Sequence, residues 1–362
     1  MNSTLEVGSL CNPEDFVFYK QLVNKINADN PFYKTELFRT GEAYESLNYF
    51  LYFRDGEPLI IMNFYLKAIT FPEDKITYFD VITPYGYSGP LLKIVDSEIL
   101  TDFWQKVDQW YKNHNVVSEF IRFSLNGNHQ NYSGTCIPTL KNIKGHILNE
   151  ELQWEQFKPK VRNNFRKAQK ANLEFEIVEN NISESIIDAF YKIYIDTMQR
   201  NSATRQYYFK REYFASFIRQ NPDHAAIAIV YYEKIPISSE FILKEGETLF
   251  SYLGGTISEY FHVRPNDFLK LGVLDWARKA DFKYYVLGGG RSDGDGLYEY
   301  KKAFFPKDEE VCYYTGRKVI DEHVYKNLAS RVNPEIDLNS YSVEELERID
   351  DFFPIYRKIN AS

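Results

Sequence analysis

The sequence predicts an α/β (α+β) chain made of two similar halves in tandem. Three observations carry that prediction. One order of elements occurs twice: strand, tight turn, strand, glycine-terminated strand, amphipathic helix, closing strand. Helical sequence precedes each half, at about 13–28 and 183–220. At 362 residues the chain also exceeds one small core and fits two domains. The halves match in order and patterning rather than in identity, so a single large α/β domain is the alternative.

In the first half, LNYFLYFRDGEPLIIMNFYLK reads as two strands around a turn at Asp55–Gly56. ITYFDVITPYGYSGP follows as a third strand running into a glycine-containing loop. From Asp96 to Asn113, Ile99, Phe103, Val107 and Trp110 recur at helical spacing. SEFIRFSL closes the half. In the second half, AAIAIVYYEKIPISSEFILK gives strand, turn and strand, and TLFSYLGGT is the third strand. Asn266 to Lys279 is its helix, with Phe268, Leu271, Leu274 and Trp276 apolar, and KYYVLGGG closes it. The predicted division is 1–150, 151–330 and a helical tail at 331–362. In that tail Ser342 and Glu345 have capping-box spacing.

A net charge of −8 and a pI near 5.5 argue against a general nucleic-acid binder. Cys11, Cys136 and Cys312 are far apart, which argues against a disulfide framework or zinc site and for a reducing compartment. The N-terminal residues hold no apolar signal core, and runs such as LIIM are too short to span a bilayer. The expectation is a soluble, cytoplasmic protein. No histidine has a partner at metal spacing and there is no nucleophile elbow, so no metal and no hydrolytic triad are expected.

The candidate site residues cluster in the second half. A strand ending at Gly254 and Gly255 opens towards a helix that starts after Pro265. The N–H groups of a first helical turn favour an anion. Pro265, Asn266, Asp267, Phe268 and Leu269 are therefore candidates for holding a donor's pyrophosphate. Asp267 suits this only if its side chain turns away, and an ordinary capped surface helix is the alternative. Glu240 lies in the apolar strand ISSEFIL. If it is buried, its carboxyl is raised towards neutrality and suits a general base; strand alternation could equally expose it.

Between the halves, Lys158, Lys160, Arg162, Arg166, Lys167 and Lys170 crowd what reads as one short helix. Arg162 and Arg166, a turn apart, could share one phosphate, or the run could be a solvated face. Arg200 could clamp a phosphate, and Tyr207 and Tyr85 could stack a sugar or base. For the tyrosines a place in the core is the alternative. Asp295 could accept a proton, although Asp-Gly pairs are chiefly turn formers.

Four segments carry a family resemblance: TPYGYSGP at 83–90, KVRNNFRKAQKANL at 160–173, YLGGT followed by PNDFL, and GGG followed by DGLYEYKKAF. In this order they resemble the FemA/FemB/FemX-type branch of the GNAT acyltransferases, the peptidoglycan-bridge and BioF-like transferases. The resemblance implies two GNAT-like domains in tandem, each a mixed twisted sheet flanked by helices. It further implies an N-acyltransferase that moves an acyl group onto a primary amine by direct attack. Lys301 matches the family's active-site lysine, and Tyr252 to Gly255 match the splayed strand that polarises the donor carbonyl.

Family members that build peptide bridges take aminoacyl-tRNA, some with a long helical insertion. This acidic chain shows no long heptad segment, which favours acetyl-CoA or another acyl-CoA. The usual CoA-loop pattern is not matched at Arg264–Lys270. The expected acceptor is a nucleotide-linked amino sugar destined for cell-envelope polysaccharide, shaped by the first half, with the donor held by the second. The alternatives are an aminoacyl-tRNA-dependent transferase acting on a peptidoglycan precursor and a non-catalytic glycan-binding protein.

Overall fold

The chain folds into two units built from interleaved segments, and the computed structural model describes residues 2–38, 46–70, 76–332, 334–350 and 352–358. The first unit takes Met1–Ala28, Phe38–Thr139 and Tyr313–Ser362; the second takes Asp29–Leu37 and Leu140–Cys312.

The first unit runs β1 (Ser3–Ser9), α1 (Pro13–Asn27), β2 (Leu47–Arg54), β3 (Glu57–Ile69), β4 (Tyr78–Ile82), β5 (Leu91–Leu92), α2 (Ser97–Asn113) and β6 (Val116–Arg122). Its sheet order is β1-β2-β3-β4-β6, with β5 paired to β3. Asp55 and Gly56 both have positive φ, 49° and 82°, as a two-residue hairpin between β2 and β3 requires. The β4-to-β6 step is parallel, with α2 as the crossover. Asp96 caps α2 by accepting from the Ile99 N–H at 3.0 Å, which defines the start that the periodicity predicts. Strand alternation places Phe50, Tyr52 and Phe64 against the apolar stripe of α2, Phe103, Trp104, Val107 and Tyr111.

The second unit runs from the later part of β7 (Thr135–His146) through α3 (Glu150–Gln156), α4 (Pro159–Lys170), β8 (Glu174–Glu179), α5 (Glu184–Arg200), α6 (Arg211–Gln220), β9 (Ala225–Tyr232), β10 (Ile235–Glu245), β11 (Thr248–Thr256), α7 (Pro265–Lys279), β12 (Tyr284–Gly288) and α8 (Gly296–Lys302). Its order is β7-β12-β11-β10-β9-β8. β8 to β11 are antiparallel, and β12 returns parallel to β11 through α7. Alternate residues of β10 serve opposite faces. Phe241 packs on Phe190, Phe214 and Phe217 of α5 and α6, whereas Ile242 joins the layer containing Leu269, Val273 and Leu274 of α7.

Each unit thus follows the same plan, a mixed twisted sheet with helices on it. The units differ from a division at 150 and 330. β13 (Glu310–Val319) brings the chain back to the first unit by pairing antiparallel with β6, from Thr315↔Arg122 to Val319↔Ser118. α9 (Glu322–Val332) and α10 (Val343–Arg348) then pack Tyr325, Leu328 and Leu346 against Val117 and Val319. The predicted capping box of Ser342 and Glu345 is formed. The cationic segment is two helices, α3 and α4, rather than one. Pro159 has no N–H to donate and forces Lys158 out of the helical region, at ψ 146°.

One buried charge cluster holds the first unit. Glu119 of β6 is fully buried; Tyr132 donates to it at 2.8 Å, Tyr111 donates to it, and Lys318 Nζ of β13 lies 3.4 Å away. Lys318→Met leaves that carboxylate without its cation. Urea unfolding should show a loss of roughly 3 kcal/mol, largely recovered when Glu119→Gln is added. An unchanged midpoint in the single variant contradicts this account.

Candidate active site

An opening between β11 and β12 is the central feature of the second unit. The two strands pair in parallel only from Thr248↔Tyr284 to Phe250↔Val286. Two local features send them apart. β11 carries a bulge: Leu253 faces Phe241 and Ser251 faces Ile242, so the β10–β11 register shifts at Tyr252. A bulge bends its strand and re-aims backbone groups. Across the gap, Gly288 has φ 74°, a left-handed conformation that glycine adopts without strain. The register with β12 therefore ends at Phe250↔Val286.

The glycines at this opening make room for the protein itself. A Cβ on Gly254 would lie 2.6 Å from the Ser239 carbonyl oxygen on β10. One on Gly255 would lie 2.2 Å from Thr197 Oγ1 and 2.8 Å from the Ile193 carbonyl oxygen of α5. Both hold the splayed strand close to its supports.

Lys301, on α8, is tied to the chain just beyond β12. Its Nζ donates to the Gly289 carbonyl at 2.7 Å. Burial, with the Lys270 charge second, lowers its pKa to about 8; Glu240 and Asp295 oppose the shift. Glu240 is buried, 3% exposed, as one of the two sequence readings has it, but it is not alone. It faces α7, where Lys270, 6% exposed, pairs with its Oε2, and buried Tyr285 of β12 donates to its Oε1. Lys270 also donates to Ser251 Oγ at 2.8 Å and Tyr285 Oη at 3.1 Å. Burial and the Glu240 charge hold the Tyr285 hydroxyl well above its ordinary range.

At the start of α7, Arg264 takes a left-handed conformation, φ 59°, and supplies no side-chain cap. Asn266 Nδ2 donates to Tyr300 Oη at 2.9 Å. Asp267 turns inward, 6% exposed, and accepts from Asn164 of α4 at 3.1 Å. Burial raises its pKa, while Asn164, Arg264 and Lys160 counteract. Phe268 stacks on Phe165 of α4, centroids 5.7 Å apart. Pro265 and Leu269 are buried. This helix end is anchored on α4, and its inward-turned carboxylate meets the one condition under which a phosphate fits there.

Other candidates are committed elsewhere. Asp295 caps α8, accepting from the Tyr298 and Arg291 N–H groups at 2.7 and 2.8 Å, which lowers its pKa. Arg162 Nη1 donates to the carbonyls of Trp154, Glu155 and Phe157, closing the end of α3. Arg166 lies over the Trp154 ring at 5.6 Å. Arg200 Nη1 donates to the Thr256 carbonyl at 2.7 Å, so it stands at the end of β11. Tyr252 Oη lies 2.7 Å from Tyr213 Oη. The Tyr207 carbonyl accepts from the Tyr194 hydroxyl. Tyr85 belongs to the other unit, exposed in the loop after β4.

Lys270, Ser251, Tyr285, Tyr300 and Asn164 are absent from the sequence-based candidates. One signal was available for Lys270. Asp267, Lys270, Leu274 and Ala277 fall on one face of α7, so two charges interrupt a buried stripe.

The first unit lacks the equivalent opening. Ile82 still pairs with Phe120, and the Thr83 N–H donates to the Phe120 carbonyl at 3.1 Å. The Arg122 N–H reaches Thr83 Oγ1 at 2.9 Å, and Ser88 Oγ donates to the Arg122 carbonyl at 2.9 Å. The chain's own loop closes the gap.

Residues 156–302 match the acetyltransferase (GNAT) domain family, wholly within the second unit. No curated protein shows significant sequence similarity. Among solved structures, FemX is similar with TM-score 0.56 at 13% identity, covering 77% of this chain and 89% of its own. L-PGS from Bacillus licheniformis has TM-score 0.56 at 12% identity, with 86% and 93% covered. The C-terminal domain of a lysylphosphatidylglycerol synthetase-like protein from Agrobacterium fabrum gives TM-score 0.56 at 12%, with 85% and 93% covered. The second unit thus carries a stretch, 156–302, that matches the GNAT acetyltransferase domain, and the chain shares its fold with FemX and L-PGS.

Proposed function

We propose that the chain transfers an acyl group, acetyl in the simplest case, from acyl-CoA to a primary amine. The observation that carries this reading is the β11–β12 opening with the Lys301 amine tied to the chain just beyond β12. A thioester carbonyl seated there would meet backbone N–H groups of β11 that point into the gap beyond its last pair with β12, as negative charge develops on its oxygen. Fixed donors of this kind are each worth about 3–4 kcal/mol to a transition state. The first turn of α7, from Pro265 to Leu269, would hold the donor's pyrophosphate.

Proton transfer falls best to Lys301. Asp295 is a helix cap and Glu240 is held by Lys270 and Tyr285, whereas a lysine titrating near 8 exchanges protons at working pH. Neutral Lys301 takes the proton of the acceptor ammonium, and the freed amine attacks the carbonyl carbon. The tetrahedral centre releases a second proton from its nitrogen to water and collapses with loss of the C–S bond, while the Lys301 ammonium returns its proton to the departing thiolate. Tyr252 would position the bulge through Tyr213.

The acceptor enters from the end of β11, where Arg200 and the loop carrying Tyr207 stand. An amino sugar on a nucleotide supplies the phosphate for Arg200 and a ring for the tyrosines. Arg166 would add a further cation. The reaction belongs to the cytoplasm, where acyl-CoA and nucleotide sugars meet; among the described residues no helix is long and apolar enough to cross a membrane. The fold shared with FemX and L-PGS supports a second reading, in which an aminoacyl ester on tRNA replaces the thioester at the same opening.

Thiol release from acetyl-CoA, followed with a panel of amino-sugar nucleotides, tests the first reading. The native rate should rise with pH and level off above about 8, because the neutral amine is the active form. Lys301→Ala should lower kcat at least about 100-fold with the fold intact. Release of no thiol with any amine, together with transfer from aminoacyl-tRNA, selects the second reading. Equal turnover in Lys301→Ala rules out the proposed proton route.

A further inference from the structure

An ammonium withdrawn from water is unfavourable unless a partner replaces the lost hydration. The first unit holds such a group at Lys67 of β3. The residue is half-buried, and among the described residues its Nζ makes no hydrogen bond or ion pair. Asp80, which faces Lys67 across the β3–β4 register, is already held by Arg357, whose Nε and Nη2 donate to its two oxygens at 2.7 and 3.1 Å. Burial lowers the Lys67 pKa; Asp80 opposes that shift, while Arg357 and Arg122 add to it.

The backbone brings a second cation to the same place. Strand alternation puts Tyr65 and Lys67 of β3, Ile82 of β4, and Phe120 and Arg122 of β6 on one face of the sheet. The opposite face carries Leu66, Val81 and Ile121 into the core with α2. Tyr65, Ile82 and Phe120 form one row across three strands, through the pairs Tyr65↔Ile82 and Ile82↔Phe120. β3 runs antiparallel to β4 and β4 parallel to β6, so Lys67 and Arg122 flank that row from opposite sides. Both side chains lean back over it. Lys67 Nζ lies 6.0 Å from the Tyr65 ring centroid, and the Arg122 guanidinium carbon lies 5.0 Å from that of Phe120. Arg122 is fixed by donating from Nη1 to the Thr83 carbonyl at 2.8 Å, and its Nε and Nη2 hydrogens have no acceptor among the described residues. The row beneath is half-buried throughout, so the two cations stand over an apolar floor.

We propose that this face of the first unit binds a phosphate group of a small soluble molecule, held above Ile82 between the Lys67 ammonium and the Arg122 guanidinium. β3 and β6 are two strand spacings apart, about 10 Å, and the inward lean of both side chains narrows that gap to the reach of one tetrahedral anion or a diphosphate. Two cations with no carboxylate left to neutralise them match the double charge of a phosphate better than the single charge of a carboxylate. The guanidinium fork suits two phosphate oxygens at once. The site is independent of the acyl-transfer reading, because none of its residues belongs to the second unit.

Calorimetric titration of the full chain with inorganic pyrophosphate, at constant ionic strength, tests the proposal. Native protein should bind it, and Lys67→Met and Arg122→Gln should each weaken that binding at least about 10-fold. Lys67→Arg, which keeps the charge, should stay within about three-fold of native. Lys25→Met removes an exposed first-unit lysine that pairs with Glu57 at 3.4 Å, and should change the affinity by less than about two-fold. Lys67→Gln replaces the methionine variant if that one does not fold. Equal affinity in native protein and Lys67→Met overturns the site, as does an equal loss in Lys25→Met. Binding to phosphatidylglycerol vesicles without binding to pyrophosphate overturns the small soluble ligand. These outcomes do not depend on whether the chain transfers an acyl group, so a failure of that activity is read separately.

Discussion

Everything at the candidate site follows from how far β11 and β12 can pair. They meet as parallel neighbours for three residues each and then separate at the bulge of Tyr252 and the left-handed turn of Gly288. Backbone N–H groups that a longer ladder would consume are left facing a gap. The same separation gives α7 its start and lets the Gly289 carbonyl take the Lys301 amine. If the strands stayed paired, the same residues would all be present and none would stand at a gap.

The two units show this by contrast. Both use an antiparallel run followed by a helical crossover to a parallel strand. In the first, Thr83, Ser88 and Arg122 stitch the corresponding gap shut, and the start of α2 already has the Asp96 carboxylate as its cap. In the second, the equivalent helix begins at an uncapped, left-handed Arg264 with its one acid turned inward. Each unit also buries a glutamate with a lysine and tyrosines, but on different strands. Glu119 sits on the closing strand of its unit, and Glu240 lies on the central hairpin under the opening. Similar chemistry placed elsewhere in the same plan leaves the first cluster inside a sealed core.

Much of the fold was legible from spacing. The apolar residues of α2 and α7, the Asp55–Gly56 turn and the Ser342 cap each carry a local physical signature, and the tandem repeat follows from their order. The strands that close the units were harder. β8 reads EFEIVE, with a charge at every second position, and β7 contains Pro138 among polar residues, so neither has the apolar run of a central strand. The return of β13 to the first unit depends on pairing nearly 200 residues apart, which no local pattern encodes. At the site, Lys301 was reached through a family resemblance and Glu240 through its apolar strand. Lys270 is hard to single out, because a lysine in a helix usually reaches water. Arg162 and Asp295 drew attention as charges, whereas their bonds to backbone groups emerge only once α3 and α8 are folded.

The central claim is that one opening per chain, in the second unit, takes the acyl donor. Calorimetric titration of the purified protein with acetyl-CoA tests it most directly. The account predicts saturable binding at one site per chain, lost when Gly254→Val, pressed against the Ser239 carbonyl of β10, displaces the splayed strand while thermal unfolding shows the variant still folded. Two sites per chain, or binding indifferent to that substitution, would contradict it.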